Sequence, residues 1–382
     1  MKALPSAARS PEPAAGRRRL WLEQLQAENV ALNRQEREAG RIILASTPQT
    51  VRLQIHAPCN AGCVFCSQGD GFESFRLDDW LVRFDSAMTP VLQRAATMTF
   101  SGSGEVLGLS EAPALLGYLN GRFPHVEKRI ATNASYLTHE KCDLIVNSAS
   151  RYTLQLSLHA PDRSTHELMM RYWSFERVMK NIKQLMEMRR GTDQVRVHFK
   201  FVMTTLNADK LPDFVRLAKE LGADKVLATY FFICEAAQKY LSLYFKQDLA
   251  NRAIDEARRV AQEVGMEISL PQKFGEGPAP ARTPARCNEP WHQVVVDSEG
   301  RILPCDLTGS FKESLADKSF AEIWNGPAYR AIRRSLRAGG GCLGTCQRHN
   351  AASINDWEAH VDHRHKCDGQ IVQEHHRALR RP

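Results

Sequence analysis

Three cysteines stand on one short stretch, Cys59, Cys63 and Cys66, with the spacing C-x3-C-x2-C. Three thiolates on one loop can each hold one iron of a cubane iron–sulfur cluster. The fourth iron then has no protein ligand, which leaves a position open for a substrate. A structural zinc site would require a fourth donor nearby, and only His56, just upstream, is local. A second set lies far along the chain: Cys287, Cys305, Cys342 and Cys346. Four thiolates saturate a cubane, so this set would carry electrons or staple its surroundings, with four-thiolate zinc as the alternative. Cys142, Cys234 and Cys367 fall outside both sets. Cys142 shares helical spacing with Ile145 and Val146 and reads as core.

The elements that must carry these residues alternate between β-rich runs and helix-length connections. Runs at 51–55, 97–100, 129–132, 152–158, 195–203 and 226–233 predict strands. Helical stretches are predicted at 77–88, 112–119, 139–147, 175–188 and 211–221. That alternation implies parallel strands joined by crossover helices, with six units where a closed barrel has eight. The fold expected is therefore α/β: a partial (β/α)6 TIM-like barrel over 48–270, preceded by a tail and helix over 1–47. A Pro- and Gly-rich linker, 271–286, leads to a small Cys-rich α+β module over 287–349, with a hairpin and two helices. The polar segment 350–382 contains His360, His363 and His365 beside Cys367 and reads as a solvated tail.

The chain has 382 residues, 43% hydrophobic and 25% charged, which excludes a disordered, collagenous or coiled-coil protein. No run of about 18 apolar residues and no secretory signal is present, so the expectation is a cytoplasmic protein without a membrane partner. The net charge of +8 comes from basic residues scattered apart from Arg17, Arg18 and Arg19, so nucleic acid is not the expected partner. Ten cysteines without a secretion signal point to metal or redox chemistry rather than disulfides.

The first cluster, with Phe65 between its last two cysteines, resembles the signature of radical S-adenosylmethionine (radical SAM) enzymes, C-x3-C-x-aromatic-C after the first strand. Further segments follow in register. Gly102, Ser103, Gly104 and Glu105 resemble the Gly-Gly-Glu segment that binds the methionine amino group. Asn133 ends a Thr-Asn pair after the third strand, and Ser157 matches the fourth strand's Ser-hydrophobic-Asp-Gly. There His159 and Ala160 depart from the family's Asp-Gly. Arg171 resembles the basic residue that pairs with the SAM carboxylate. In the second region C-x12-G-x4-C, an Ile-Trp-Asn-Gly run at 323–326 and Cys342-x3-Cys346 resemble the SPASM/twitch extension, the shorter twitch form with one auxiliary cluster fitting the cysteine count.

The resemblance implies a [4Fe–4S] cluster on Cys59, Cys63 and Cys66 that binds SAM, and an auxiliary [4Fe–4S] cluster on Cys287, Cys305, Cys342 and Cys346. It implies reductive cleavage of SAM to a 5′-deoxyadenosyl radical, which takes hydrogen from a substrate C–H bond. An external one-electron reductant such as flavodoxin or ferredoxin would drive it. Cys234, just past the sixth strand, would be a hydrogen donor if the outcome were epimerisation. Only 58 residues precede Cys59, short for the leader-binding domain of peptide maturases. The substrate expected is therefore a small polar metabolite of aminocyclitol or sugar type, oxidised or epimerised. Maturation of a ribosomal peptide is the alternative, and a non-catalytic zinc-binding protein the outside one.

Overall fold

The computed structural model describes residues 15–66, 75–101, 104–171, 174–276, 287–305, 313–339 and 360. Strands β1 (Thr50–Gln54), β2 (Thr97–Ser101), β3 (Glu127–Thr132), β4 (Tyr152–Ser157), β5 (Val195–Met203) and β6 (Lys225–Tyr230) are the six expected runs. Three more follow: β7 (Ile268–Ser269), β8 (Gln293–Val296) and β9 (Ile302–Leu303). One sheet contains all nine in the order β7-β6-β5-β4-β3-β2-β1-β8-β9. Every pairing is parallel except β8 with β9.

From β1 to β6 each strand lies beside its predecessor, so right-handed crossovers put every connecting helix on the same face. Under those helices lie Val51, Leu53, Met98, Phe100, Ile130, Leu154, Leu156, Val197, Phe199, Phe201 and Val226, all buried. Alternation along each strand sends the intervening side chains to the opposite, inner face. The connection expected over 77–88 is broken into two helices, Leu77–Arg83 and Asp85–Leu92, at Phe84. The helix Phe175–Met188 is placed as expected.

The C-terminal hairpin is not separate from the barrel sheet. β8 pairs in parallel with β1 over Thr50↔Gln293 to Leu53↔Val296. The helix Phe320–Trp324 fastens this region to the segment before β1. Asn325 accepts from Leu44 N at 2.9 Å and donates to Leu44 O at 2.8 Å, and Trp324 Nε1 donates to Ser46 O at 2.9 Å. That use of Trp324 and Asn325 gives the Ile-Trp-Asn-Gly run a structural reason. Gly300, at φ +75°, has one too: a Cβ there would stand 2.1 Å from the Phe84 ring. The long helix Ala15–Glu38 covers the N-terminal ends of the strands, with Gln26, Asn29 and Asn33 donating to carbonyls of Ala95, Thr47 and Trp291. Among the described residues no helix is long and apolar enough to cross a membrane.

Candidate functional site

The loop leaving β1 carries the three cysteines at the C-terminal ends of the parallel strands, where α/β folds gather their sites. It is held from two sides. The helix Arg163–Met170 ends against it, with Gly62 N donating to Met170 O at 3.1 Å and Val64 N to Met169 O at 3.0 Å. On the other side stands Gln238, buried in the 3-10 segment Ala236–Leu241. Its Nε2 donates to Val64 O and Cys66 O, both at 3.3 Å. Its Oε1 accepts from Cys234 N at 3.4 Å and Glu235 N at 3.3 Å. One amide thus ties the cysteine loop to the exit of β6, using both ends of a group that donates and accepts. No motif marks Gln238 in the sequence.

Of the three thiols Cys66 is exposed and Cys59 half-buried, as is Cys63. Burial pushes the Cys63 thiol up to about 12, and neighbouring Cys66 and Cys59 add to the rise. Three thiolates crowded this way need a cationic partner, which cluster iron supplies. Among the described residues no three Cys, His, Asp or Glu side chains converge to hold a single metal ion. A cubane presents its irons at separate corners, so its thiolates need proximity rather than convergence on one point. The residues present fit the cluster.

Phe65 packs edge-on to His159, with ring centroids 4.8 Å apart, and joins a small apolar cluster with Phe231, Ile233 and Leu241. His159 is buried at φ +58°, and its Nδ1 accepts from Val202 N at 3.0 Å. Burial, then the charges of Lys200 and His166, push the imidazole down to about 3. A neutral brace for the cysteine loop therefore occupies the position where the family has an acid.

Glu105 is buried at the end of β2, beyond Gly102 and Ser103, which lie outside the described residues. Its Oε1 accepts from Thr132 Oγ1 at 2.7 Å and Leu107 N at 3.2 Å, and its Oε2 from Asn133 N at 2.6 Å. Burial raises it to about 6 although those hydrogen bonds and Lys141 favour the anion. The Asn133 side chain turns to the cysteine loop, donating to Asn60 Oδ1 at 2.9 Å and lying 4.0 Å from Cys59 Sγ. Asn60 in turn donates to Ser135 Oγ at 3.0 Å, so Asn60 and Ser135 are loop-positioning residues without a motif of their own. Gly104 sits at φ +103°, and a Cβ there would fall 1.6 Å from Ala57 O. The close approach this glycine permits is to the backbone leading into Cys59.

Ser157 ends β4 opposite Lys200. Arg171 follows the helix Arg163–Met170 at φ +43° and is exposed, with its carbonyl 3.5 Å from Gly62 N. Cys234 is buried, its sulfur 3.5 Å from Phe232 O. Cys287 and Cys305 are both half-buried, Cys287 against the main core. Cys342, Cys346 and Cys367 lie outside the described residues. His360 corrects the solvated-tail expectation for its own position. It is buried and stacked on Phe274 at 5.3 Å between Tyr244 and Tyr230, and its carbonyl accepts from Ile233 N at 2.7 Å. An imidazole's flat faces let it fill an aromatic box that the single-residue reading missed.

A parallel α/β sheet with a three-cysteine loop over its strand ends defines an iron–sulfur enzyme of the partial-barrel kind. The chain carries a radical SAM superfamily domain over residues 54–221 and an iron–sulfur cluster-binding SPASM domain over 287–348. Its cofactors are SAM, the SAM-binding [4Fe–4S] cluster and auxiliary iron–sulfur ligation. A PqqA peptide cyclase of Xanthomonas campestris pv. campestris (strain B100) is 29% identical over 139 residues, 33% of this chain and 35% of that protein. The chain thus spans about a third of the length of the peptide cyclases it matches. A probable GTP 3′,8-cyclase of Thermoplasma volcanium is 24% identical over 313 residues, 75% of this chain and 88% of that one. Among solved structures, Streptococcus suis SuiB bound to precursor peptide SuiA has a TM-score of 0.61 at 16% identity, covering 87% of this chain and 80% of that one. Native anSMEcpe with bound AdoMet and Cp18Cys peptide has 0.58 at 14%, covering 86% and 96%. These two structures share the fold. The expectation of an aminocyclitol or sugar substrate is overturned by relatives named for peptide chemistry. The length before Cys59, on which that expectation rested, carries no information about what the site receives.

Proposed function

We propose that the protein modifies a peptide by radical chemistry, as a maturase. The observation that carries this reading is the sequence likeness to the PqqA peptide cyclases, joined in one chain to a SPASM domain. The cluster and SAM together supply a carbon radical able to remove hydrogen from an unactivated C–H bond, given one electron from an external reductant.

The chain's own residues do the positioning. Gln238 and the end of the helix Arg163–Met170 fix the cysteine loop, and Asn133 and Asn60 brace it from the β3 side. Cys59, Cys63 and Cys66 hold the cluster. Glu105 and Arg171 are assigned to SAM as amino-group acceptor and carboxylate partner, with Ser157 at the end of β4 as a further SAM contact. Phe65 and the apolar cluster around Ile233 keep water from the loop's inner side.

The test incubates the reconstituted enzyme with SAM, a reductant and deuterated peptides encoded by short reading frames beside its gene. Deuterium recovered in 5′-deoxyadenosine is the expected result. Label arriving only from deuterated sugars or nucleotides would overturn the reading.

A further inference from the structure

The inner face of the sheet, opposite the helices, is strongly basic. Register places Arg52, Thr99, Arg129, Thr153 and Arg196 in one row across β1 to β5. In barrel folds such a layer, drawn from alternate strands, is usually filled by bulky branched apolar residues. Here β1, β3 and β5 each contribute an arginine. Two levels nearer the strand ends, Lys200 lies between Ser157 of β4 and Leu227 of β6. Arg129 is paired with Glu127 at 3.0 Å, and Lys225 with Glu267 at 2.8 Å. Arg196 is exposed at the far end of β5, in the electrostatic reach of Glu127 and Glu267. The Lys200 carbonyl accepts from His159 N at 3.3 Å, and among the described residues its ammonium has no hydrogen bond or ion pair. Lys200 is half-buried, and burial alone lowers its ammonium, with no carboxylate offsetting it.

A half-buried cation without a counter-charge is costly unless an anion arrives to pair with it. We propose that Lys200 receives the carboxylate of an Asp or Glu side chain of the substrate peptide. That places the acidic residue on the inner face, beside the strand ends that carry the cysteine loop. The inference rests on the peptide reading above and names the chemistry of the peptide.

The test measures binding to the anaerobic holoenzyme with SAM, using fluorescein-tagged dodecapeptide mixtures that carry Glu at a scanned position or Gln in its place. Glu mixtures should bind about tenfold tighter than their Gln counterparts at one or more positions. Lys200→Met should remove that preference, Lys200→Arg should keep it, and SAM affinity should stay within about twofold in both. Equal binding of Glu and Gln mixtures by the unsubstituted enzyme would overturn the inference and leave the peptide reading standing. So would a Lys200→Met variant that loses SAM instead of the Glu preference. Absence of all peptide binding, with GTP bound in a Lys200-dependent way, would overturn both.

Discussion

Gly104→Ala probes the link between the β2 exit and the cysteine loop. Its φ of +103° is one that L side chains rarely adopt, and occupying it costs about 1–3 kcal/mol. The added Cβ would also stand 1.6 Å from Ala57 O, a backbone atom with no rotamer to escape into. To reach ordinary contact the two backbones must part by about 2 Å, and the segment that moves leads directly into Cys59. A displacement of about 1 Å at a reacting site can cost roughly 100-fold in rate. SAM cleavage to 5′-deoxyadenosine should therefore fall about 100-fold or more, with the melting temperature lower by about 4 °C for a loss near 3 kcal/mol. Gly117→Ala is the control, since nothing lies within 4 Å of a Cβ there and the residue is inside the helix Ala112–Arg122. It should be neutral or stabilising by up to about 1 kcal/mol. A Gly104→Ala enzyme with unchanged cleavage rate and melting temperature would refute the close approach as the reason for this glycine.

Three further outcomes follow from the same contacts. Gln238→Leu keeps volume but unties Val64 and Cys66 from the β6 exit, so cluster iron should pass to a chelator several-fold faster. The buried His159 is held down to about 3 from 6.5, so the folded state favours its neutral form. Its contribution is therefore present above pH 6.5 and lost as the pH falls toward the folded value, by about 2 kcal/mol between pH 6.5 and 5. His159→Asn keeps an acceptor for Val202 N and tolerates the positive φ, and should flatten that part of the urea-unfolding profile. Asn325→Leu removes both hydrogen bonds on Leu44 and should cost about 2–4 kcal/mol, seen as faster amide exchange at Leu44.

The barrel strands were legible because each buries one face against helices, which writes a pattern of alternating or continuous apolar residues into a short window. β5 and the helix Phe175–Met188 show the expected bounds. What local pattern could not show was pairing at a distance. β8 reaches β1 across more than two hundred residues, and nothing in the period of Gln293–Val296 names its partner. The break at Phe84 has a similar origin, since the ring packs against Gly300 from the other end of the chain. At the site, the cysteines, Phe65 and the glycines stood out because their types and spacing are unusual. Gln238, Asn60 and Ser135 did not, because an amide or hydroxyl becomes a positioning group only when the fold brings backbone groups within its reach. Glu105 was legible as an anion, but not the three donors that surround it.

The central claim is that Cys59, Cys63 and Cys66 together hold a cluster that cleaves SAM. The direct measurement is iron content and 5′-deoxyadenosine formation in anaerobically reconstituted wild type and Cys63→Ala. The account predicts that the variant loses about four irons per chain and all SAM cleavage while keeping its auxiliary iron. A Cys63→Ala protein with full iron and undiminished 5′-deoxyadenosine production would contradict it.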